Sequence, residues 1–167
     1  AGLTAVNISL DTLDPERFRC ITGCDRADRV VGVDSVLCAI DAALEQQLRV
    51  KINCVPCVEM NGDDLEGIAM LAEDRPVDVR FIELMPIGCG KDYTGISSEE
   101  ILRRLEQRFG KAIAIPGKVN METGRLTENF ARETSNPADN SGSRTDGPAE
   151  YYQFPGFSGR IGFISPI

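Results

Sequence analysis

The side chains best suited to chemistry fall into two groups: cysteines in pairs, and a few polar residues inside apolar runs. Cys54-Val-Pro-Cys57 has the CxxC spacing of zinc and thiol-redox sites, and Cys20-Ile-Thr-Gly-Cys24 has the CxxxC spacing of a cluster motif. Neither pattern is complete. A lone CxxC closing an apolar run, with no second pair, is a weak zinc signal. A thioredoxin-type CxxC opens a helix, whereas this one follows a strand-like run and precedes a turn. A CxxxCxxC cluster motif needs a third cysteine where Ala27 stands. Cys20, Cys24, Cys54 and Cys57 therefore read as ordinary thiols of a reducing compartment, and no metal ligand or catalytic residue is assigned among them.

The second group says more. Ser9 and Asp11 close the run Val6-Asn7-Ile8-Ser9-Leu10-Asp11. Lys51 and Asn53 stand within Arg49-Val50-Lys51-Ile52-Asn53-Cys54-Val55, and Arg80, Glu83 and Met85 within the run Val77 to Met85. A parallel strand buried on both faces is nearly all apolar, so Lys51 and Arg80 are the exceptions that need a reason. A cation withdrawn from water requires a carboxylate or an anionic ligand. Ion pairs of Lys51 with Asp11, or of Arg80 with Glu83, meet that need, and so does an anion bound from outside. Taken alone, Ser9 reads as a satisfied hydroxyl and Met85 as core. The chain has no His, which removes His-dependent triads, His-ligated zinc and the commonest general base.

The elements that must position these residues come as three similar units. Each of the runs above reads as a strand, the second closed by Pro56 and the third by Pro86. After the first, Asp14-Pro15 reads as an N-cap with Pro at the first helical position, and Gly23 as the stop. Val30, Val33, Val36, Leu37, Ile40 and Leu44 then recur near the helical period. After the second, Asn61-Gly62-Asp63 signals a turn, and Leu65, Ile68, Ala69 and Ala72 mark one helix face. After the third, Ser97 and Glu100 form a capping box, Ile101, Leu102, Leu105 and Phe109 line a buried face, and Gly110 ends the helix. Strand, helix, strand, helix, strand, helix predicts an α/β fold with a parallel sheet. In such folds ligands bind beyond the carboxyl ends of the strands, where the polar residues above collect.

The pattern divides the chain into three parts. Residues 1–116 carry the strand–helix units. Residues 117–150, rich in Asn, Ser, Thr, Gly and charge, read as a flexible polar excursion. Residues 151–167 read as a hairpin, Tyr151-Tyr152-Gln153-Phe154 and Arg160-Ile161-Gly162-Phe163-Ile164 flanking a Pro155-Gly156-Phe157-Ser158-Gly159 turn. The net charge of −8 argues against a nucleic-acid partner, which is met by a basic face, but leaves room for a phosphorylated small molecule. No apolar run is long enough to cross a membrane and no signal-peptide pattern opens the chain. The opening Ala1-Gly2-Leu3-Thr4, without Met, reads as the start of an internal fragment.

Several of these blocks together resemble a known family. Val6-Asn7-Ile8-Ser9-Leu10-Asp11-Thr12-Leu13-Asp14 with Ile21-Thr22-Gly23, Val50-Lys51-Ile52-Asn53-Cys54-Val55, Asp78-Val79-Arg80-Phe81-Ile82-Glu83-Leu84-Met85-Pro86, Gly147-Pro148-Ala149 and Gly159-Arg160-Ile161-Gly162-Phe163-Ile164-Ser165-Pro166-Ile167 are similar to the GTP 3′,8-cyclases, the radical S-adenosylmethionine enzymes known as molybdenum-cofactor biosynthesis protein A. The resemblance implies the later half of an incomplete, TIM-like (β/α) barrel followed by a C-terminal hairpin region. It implies that a 5′-deoxyadenosyl radical, made from S-adenosylmethionine at a 4Fe-4S cluster, takes the ribose 3′ hydrogen of GTP, and that the sugar carbon then joins guanine C8. The product, 3′,8-cyclo-7,8-dihydro-GTP, would pass to cyclic pyranopterin monophosphate synthase. By the same resemblance Ser9 and Met85 match S-adenosylmethionine contacts, and Lys51 and Arg80 match GTP contacts. The family uses two 4Fe-4S clusters, whose cysteine motifs this sequence lacks, so the chain is expected to be inactive by itself. A cytoplasmic homodimer is expected of the full-length enzyme. Two other readings are another radical S-adenosylmethionine enzyme, acting on peptides or tetrapyrroles, and a degenerate nucleotide-binding module.

Overall fold

The computed structural model describes residues 2–23, 31–116 and 149–165. The expected polar excursion falls almost wholly outside them. Six strands form one mixed sheet in the order β1-β2-β3-β6-β5-β4, where β1 is Ala5–Ser9, β2 Arg49–Cys54, β3 Asp78–Ile82, β4 Ile113–Ile115, β5 Glu150–Gln153 and β6 Arg160–Ile164. β1, β2, β3 and β6 run parallel, while β5 and β4 are added antiparallel at one side.

Period-two patterning decides which face of this sheet is buried. Val50, Ile52 and Cys54, then Val79 and Phe81, then Ile161 and Phe163 all point to one side and are buried there. Helices cover that side: α2 (Val33–Glu45) lies on β1 and β2, and α4 (Leu65–Asp74) on β3 and β6. α5 (Ser98–Phe109) packs beside α4. Ile40, Ile68 and Ile101 are fully enclosed between helices and sheet, each burial worth about 1.5–3 kcal/mol. Among the described residues no helix is long and apolar enough to cross a membrane.

The helix ends follow the local chemistry. Asp14 caps α1 (Pro15–Thr22), its Oδ1 accepting from Glu16 N and Arg17 N at 2.8 Å each, and Gly23 leaves the helix at φ 64°. Ser97 Oγ accepts from Glu100 N at 3.3 Å, the first half of the expected capping box. The carboxylate of Glu100 turns to Arg103 and Arg104.

Three local readings change. The third strand ends at Ile82, three residues before the expected Met85. Its last ladder bond runs from Glu83 N to Ile164 O at 2.9 Å, after which the Glu83 carboxylate accepts from Ser98 N at the start of α5, at 2.8 Å. Cys57 does open a helix, the one-turn α3 (Val58–Asn61), because Asn61 folds back to accept from Cys57 N at 2.8 Å. β4 is a further strand, three residues long, that pairs with β5.

The hairpin of β5 and β6 forms as the sequence suggests. Gly159 seats it: a Cβ there would lie 2.1 Å from Val77 O, so the close backbone approach admits only glycine.

Candidate functional site

The side of the sheet away from the helices is polar. Its register sets two rows across four parallel strands, one of Asn7, Lys51, Asp78 and Arg160, the other of Ser9, Asn53, Arg80 and Gly162. Ser9, Lys51 and Arg80 therefore share one face, although they are 71 positions apart at the extremes (80 − 9). Met85 does not join them. It lies beyond β3, half exposed, with its carbonyl accepting from Ile87 N at 2.8 Å. Strand alternation ends at Ile82, so it assigns Met85 to neither face.

Arg80 and Arg160 both lie on this face, and their partners differ. Arg160 Nε and Nη2 donate to Asp78 Oδ1 and Oδ2 at 2.8 and 2.7 Å, a bidentate ion pair between β6 and β3. The Arg160 guanidinium also lies 4.5 Å from the centre of the Tyr151 ring. Room for that ring comes from Gly162, where a Cβ would stand 2.8 Å from it. Arg80 Nε donates to Asn53 Oδ1 at 2.8 Å, and its Nη2 reaches across β2 to Asn7 Oδ1 at 3.0 Å. Both acceptors are amides. Among the described residues no carboxylate pairs with Arg80. The ion pair with Glu83 does not form, because Glu83 is engaged at Ser98, and that bond holds its carboxyl below the usual range.

Asp11 belongs to the rim where the strands end. Burial raises its pKa, opposed by the hydrogen bond it accepts from Val55 N at 2.7 Å. Next to it the buried Asn61 ties three segments together. Its Nδ2 donates to Asp11 O at 2.8 Å and Val55 O at 3.0 Å while its Oδ1 holds Cys57 N. A cavity of about 150 Å³ opens here, lined by Asp11, Ile21, Val55, Cys57, Met60 and Tyr93 among others.

The thiols at this end stay protonated near neutrality. Burial pushes Cys54 well above its ordinary value. Cys57 is raised by burial and by Glu59, to which its Sγ donates at 3.0 Å. Neither environment favours the thiolate needed for metal binding or exchange. Among the described residues no group of three Cys, His, Asp or Glu could hold a metal ion. Cys24 lies outside them.

Asn7, Asp78 and Arg160 were not singled out by the sequence reading, and Asn53 was named there only as one of the polar residues at the strand ends. Their signal was present in the same alternation that buries Ile52 and Phe81, since each has the parity of Lys51 or Arg80.

No family model matches the chain. The GTP 3′,8-cyclase of Clostridium perfringens strain 13 is 38% identical over 166 residues, covering 99% of this chain and 42% of the relative. That of Heliobacterium modesticaldum is 38% identical over 169 residues, all of this chain and 43% of the relative. The chain is homologous, along its whole length, to the GTP 3′,8-cyclases. Molybdenum cofactor biosynthesis protein 1 of Drosophila melanogaster is also similar, 35% identical over 169 residues and 24% of its length. The chain thus spans about two-fifths of the bacterial cyclases it matches.

Proposed function

We propose that this chain supplies the triphosphate-holding part of a GTP 3′,8-cyclase, acting in molybdenum cofactor biosynthesis. The observation that carries the reading is Arg80, held on the polar face by two amide oxygens with no carboxylate among the described residues, one register row from Lys51. Lys51 and Arg80 would bind phosphate oxygens of GTP. Ser9, in the Arg80 row, and Met85, on the loop past β3, would meet S-adenosylmethionine. The sheet, with helices on one face and polar residues on the other, would be the later part of an incomplete (β/α) barrel whose inner face is the polar one.

In the reaction so proposed, the ribose 3′ carbon of GTP joins guanine C8, and the product passes to cyclic pyranopterin monophosphate synthase. The enzyme would work in the cytoplasm as a homodimer. S-adenosylmethionine, met by Ser9 and Met85, would supply the radical chemistry together with a 4Fe-4S cluster. The described residues offer no ligand set for such a cluster, so the chemistry derived from this chain is binding and orientation alone.

Titration calorimetry of the chain with GTP and with S-adenosylmethionine, under reducing conditions, tests the reading. GTP affinity is expected to fall at least tenfold in Lys51→Ala and in Arg80→Met, as expected when a charge-assisted phosphate contact is lost. GTP affinity indifferent to both substitutions would overturn it.

A further inference from the structure

We infer that Asn7 and Asn53 are positioning residues that present Arg80 to an oxyanion by one defined edge of its guanidinium. The inference rests on the reading of Arg80 as a phosphate-holding group and says how that group is prepared.

A guanidinium has five N–H donors and two forks able to take a planar pair of oxygens. One fork consists of Nε–H and the adjacent Nη2–H, and the other of the outward N–H bonds of Nη1 and Nη2. On Arg80 the first fork is filled: Nε–H goes to Asn53 on the neighbouring strand, and Nη2–H goes to Asn7 two strands away. Two donors of five are used. The second fork and the remaining Nη1–H have no partner among the described residues.

The identity of the clamp matters as much as its geometry. An amide oxygen accepts the hydrogen bond and fixes the plane of the side chain but leaves the positive charge intact. A carboxylate would do the same geometric work and cancel the charge. Arg160, on the same face, shows the second arrangement, with the equivalent fork filled by Asp78. Arg80 is ordered before a ligand arrives and remains cationic, so less side-chain entropy is lost when an anion binds. The Nη1/Nη2 fork is the edge left to receive it. Lys51 stands two residues before Asn53, in register with Asn7, on the same face, and completes a site for a multiply charged oxyanion.

The substitutions that test this are Asn53→Asp and Asn7→Asp. Each keeps the acceptor oxygen and the size of the side chain and adds a negative charge against the guanidinium. A purely structural role predicts that either variant folds as well as the parent and binds equally well. A positioning role for an open cation predicts a loss in binding alone: unfolding midpoints equal to or above the parent, with affinity for inorganic tripolyphosphate reduced tenfold or more. The probe is tripolyphosphate, titrated calorimetrically into the whole 167-residue chain and followed by the ¹H–¹⁵N signal of Arg80 Nε. That signal is expected to be slow to exchange in the parent and in both Asp variants, and to be lost in Asn53→Ala. Parent-like tripolyphosphate affinity in both Asp variants overturns the inference. If Arg80→Met then abolishes binding, the phosphate-holding reading stands without it. If Arg80→Met binds like the parent, that reading falls too. A parent chain that does not bind tripolyphosphate at millimolar concentration overturns the inference directly.

Discussion

Arg80 and Arg160 lie on the same face of the same sheet and use the same fork of their guanidinium groups, yet one is neutralised and the other is not. At the β3–β6 junction a single carboxylate fills the fork of Arg160 and the Tyr151 ring covers its plane. At the β1–β2–β3 end two asparagines do so for Arg80. The first arrangement closes a seam between strands, and the second keeps a cation in stock for a visitor. A census of charged residues would score the two arginines alike. The chemical nature of the acceptor separates them.

The largest effect should come from breaking what both sites share. Ile52→Ala, beneath the Arg80 clamp, and Ile161→Ala, beneath the Arg160 pair, each empty a fully buried position and should cost about 2–5 kcal/mol in chemical denaturation. A smaller loss would mean that the helices collapse onto the gap. Asp78→Asn sharpens the contrast by giving Arg160 an amide partner. Stability should drop by about 1–2 kcal/mol, since a bidentate ion pair is replaced by a single hydrogen bond from the guanidinium to an amide oxygen, while Arg80-dependent tripolyphosphate binding is retained. Loss of that binding would show that the two ends are not independent. Arg80→Met should change stability by no more than about 0.5 kcal/mol, because no buried charge is left behind, and its cost should appear only in ligand titrations.

The smallest effect concerns the rim. The Glu59 carboxylate accepts from Thr94 N and Cys57 Sγ, and its pKa is lowered to about 2 from 4.5. A depressed carboxylate contributes stability above its unfolded pKa and loses that contribution as pH falls through the folded one. Acid titration should therefore show a decline between pH 4.5 and about 2 that is shallower in Glu59→Gln. Equal slopes would remove Glu59 from the account.

Much of this was legible because strand and helix periods are local. Ile52, Phe81 and Ile161 mark the buried face, Asp14 and Gly23 mark helix ends, and Lys51 and Arg80 stand out as cations within strands. The end of β3 was not legible: apolar Leu84 and Met85 continue the pattern, but the ladder stops where β6 runs out at Ile164, a partner more than 80 positions away (164 − 83 = 81). β4 was hidden for a similar reason, since three residues carry little signal without the distant β5. The asparagine clamp was hidden because an amide beside a cation looks neutral in sequence, and only the register shows that Asn7 and Asn53 converge on one guanidinium.

The buried amide of Asn61 has a bearing on how the molecule ages. Asn61-Gly62 is the kind of dipeptide that rearranges through a succinimide, a reaction in which the glycine nitrogen attacks the asparagine side-chain carbonyl carbon. Here that carbonyl is held by Cys57 N and the amide nitrogen by two backbone oxygens, with Asn61 itself in a helical turn. The attack geometry is closed for as long as the rim is folded, so conversion to isoaspartate at this site becomes a clock for local opening. Peptide mapping of stored protein should find Asn61 intact under native conditions and converted in denaturant. Equal conversion in both would show that this corner of the molecule opens far more often than its hydrogen bonds suggest.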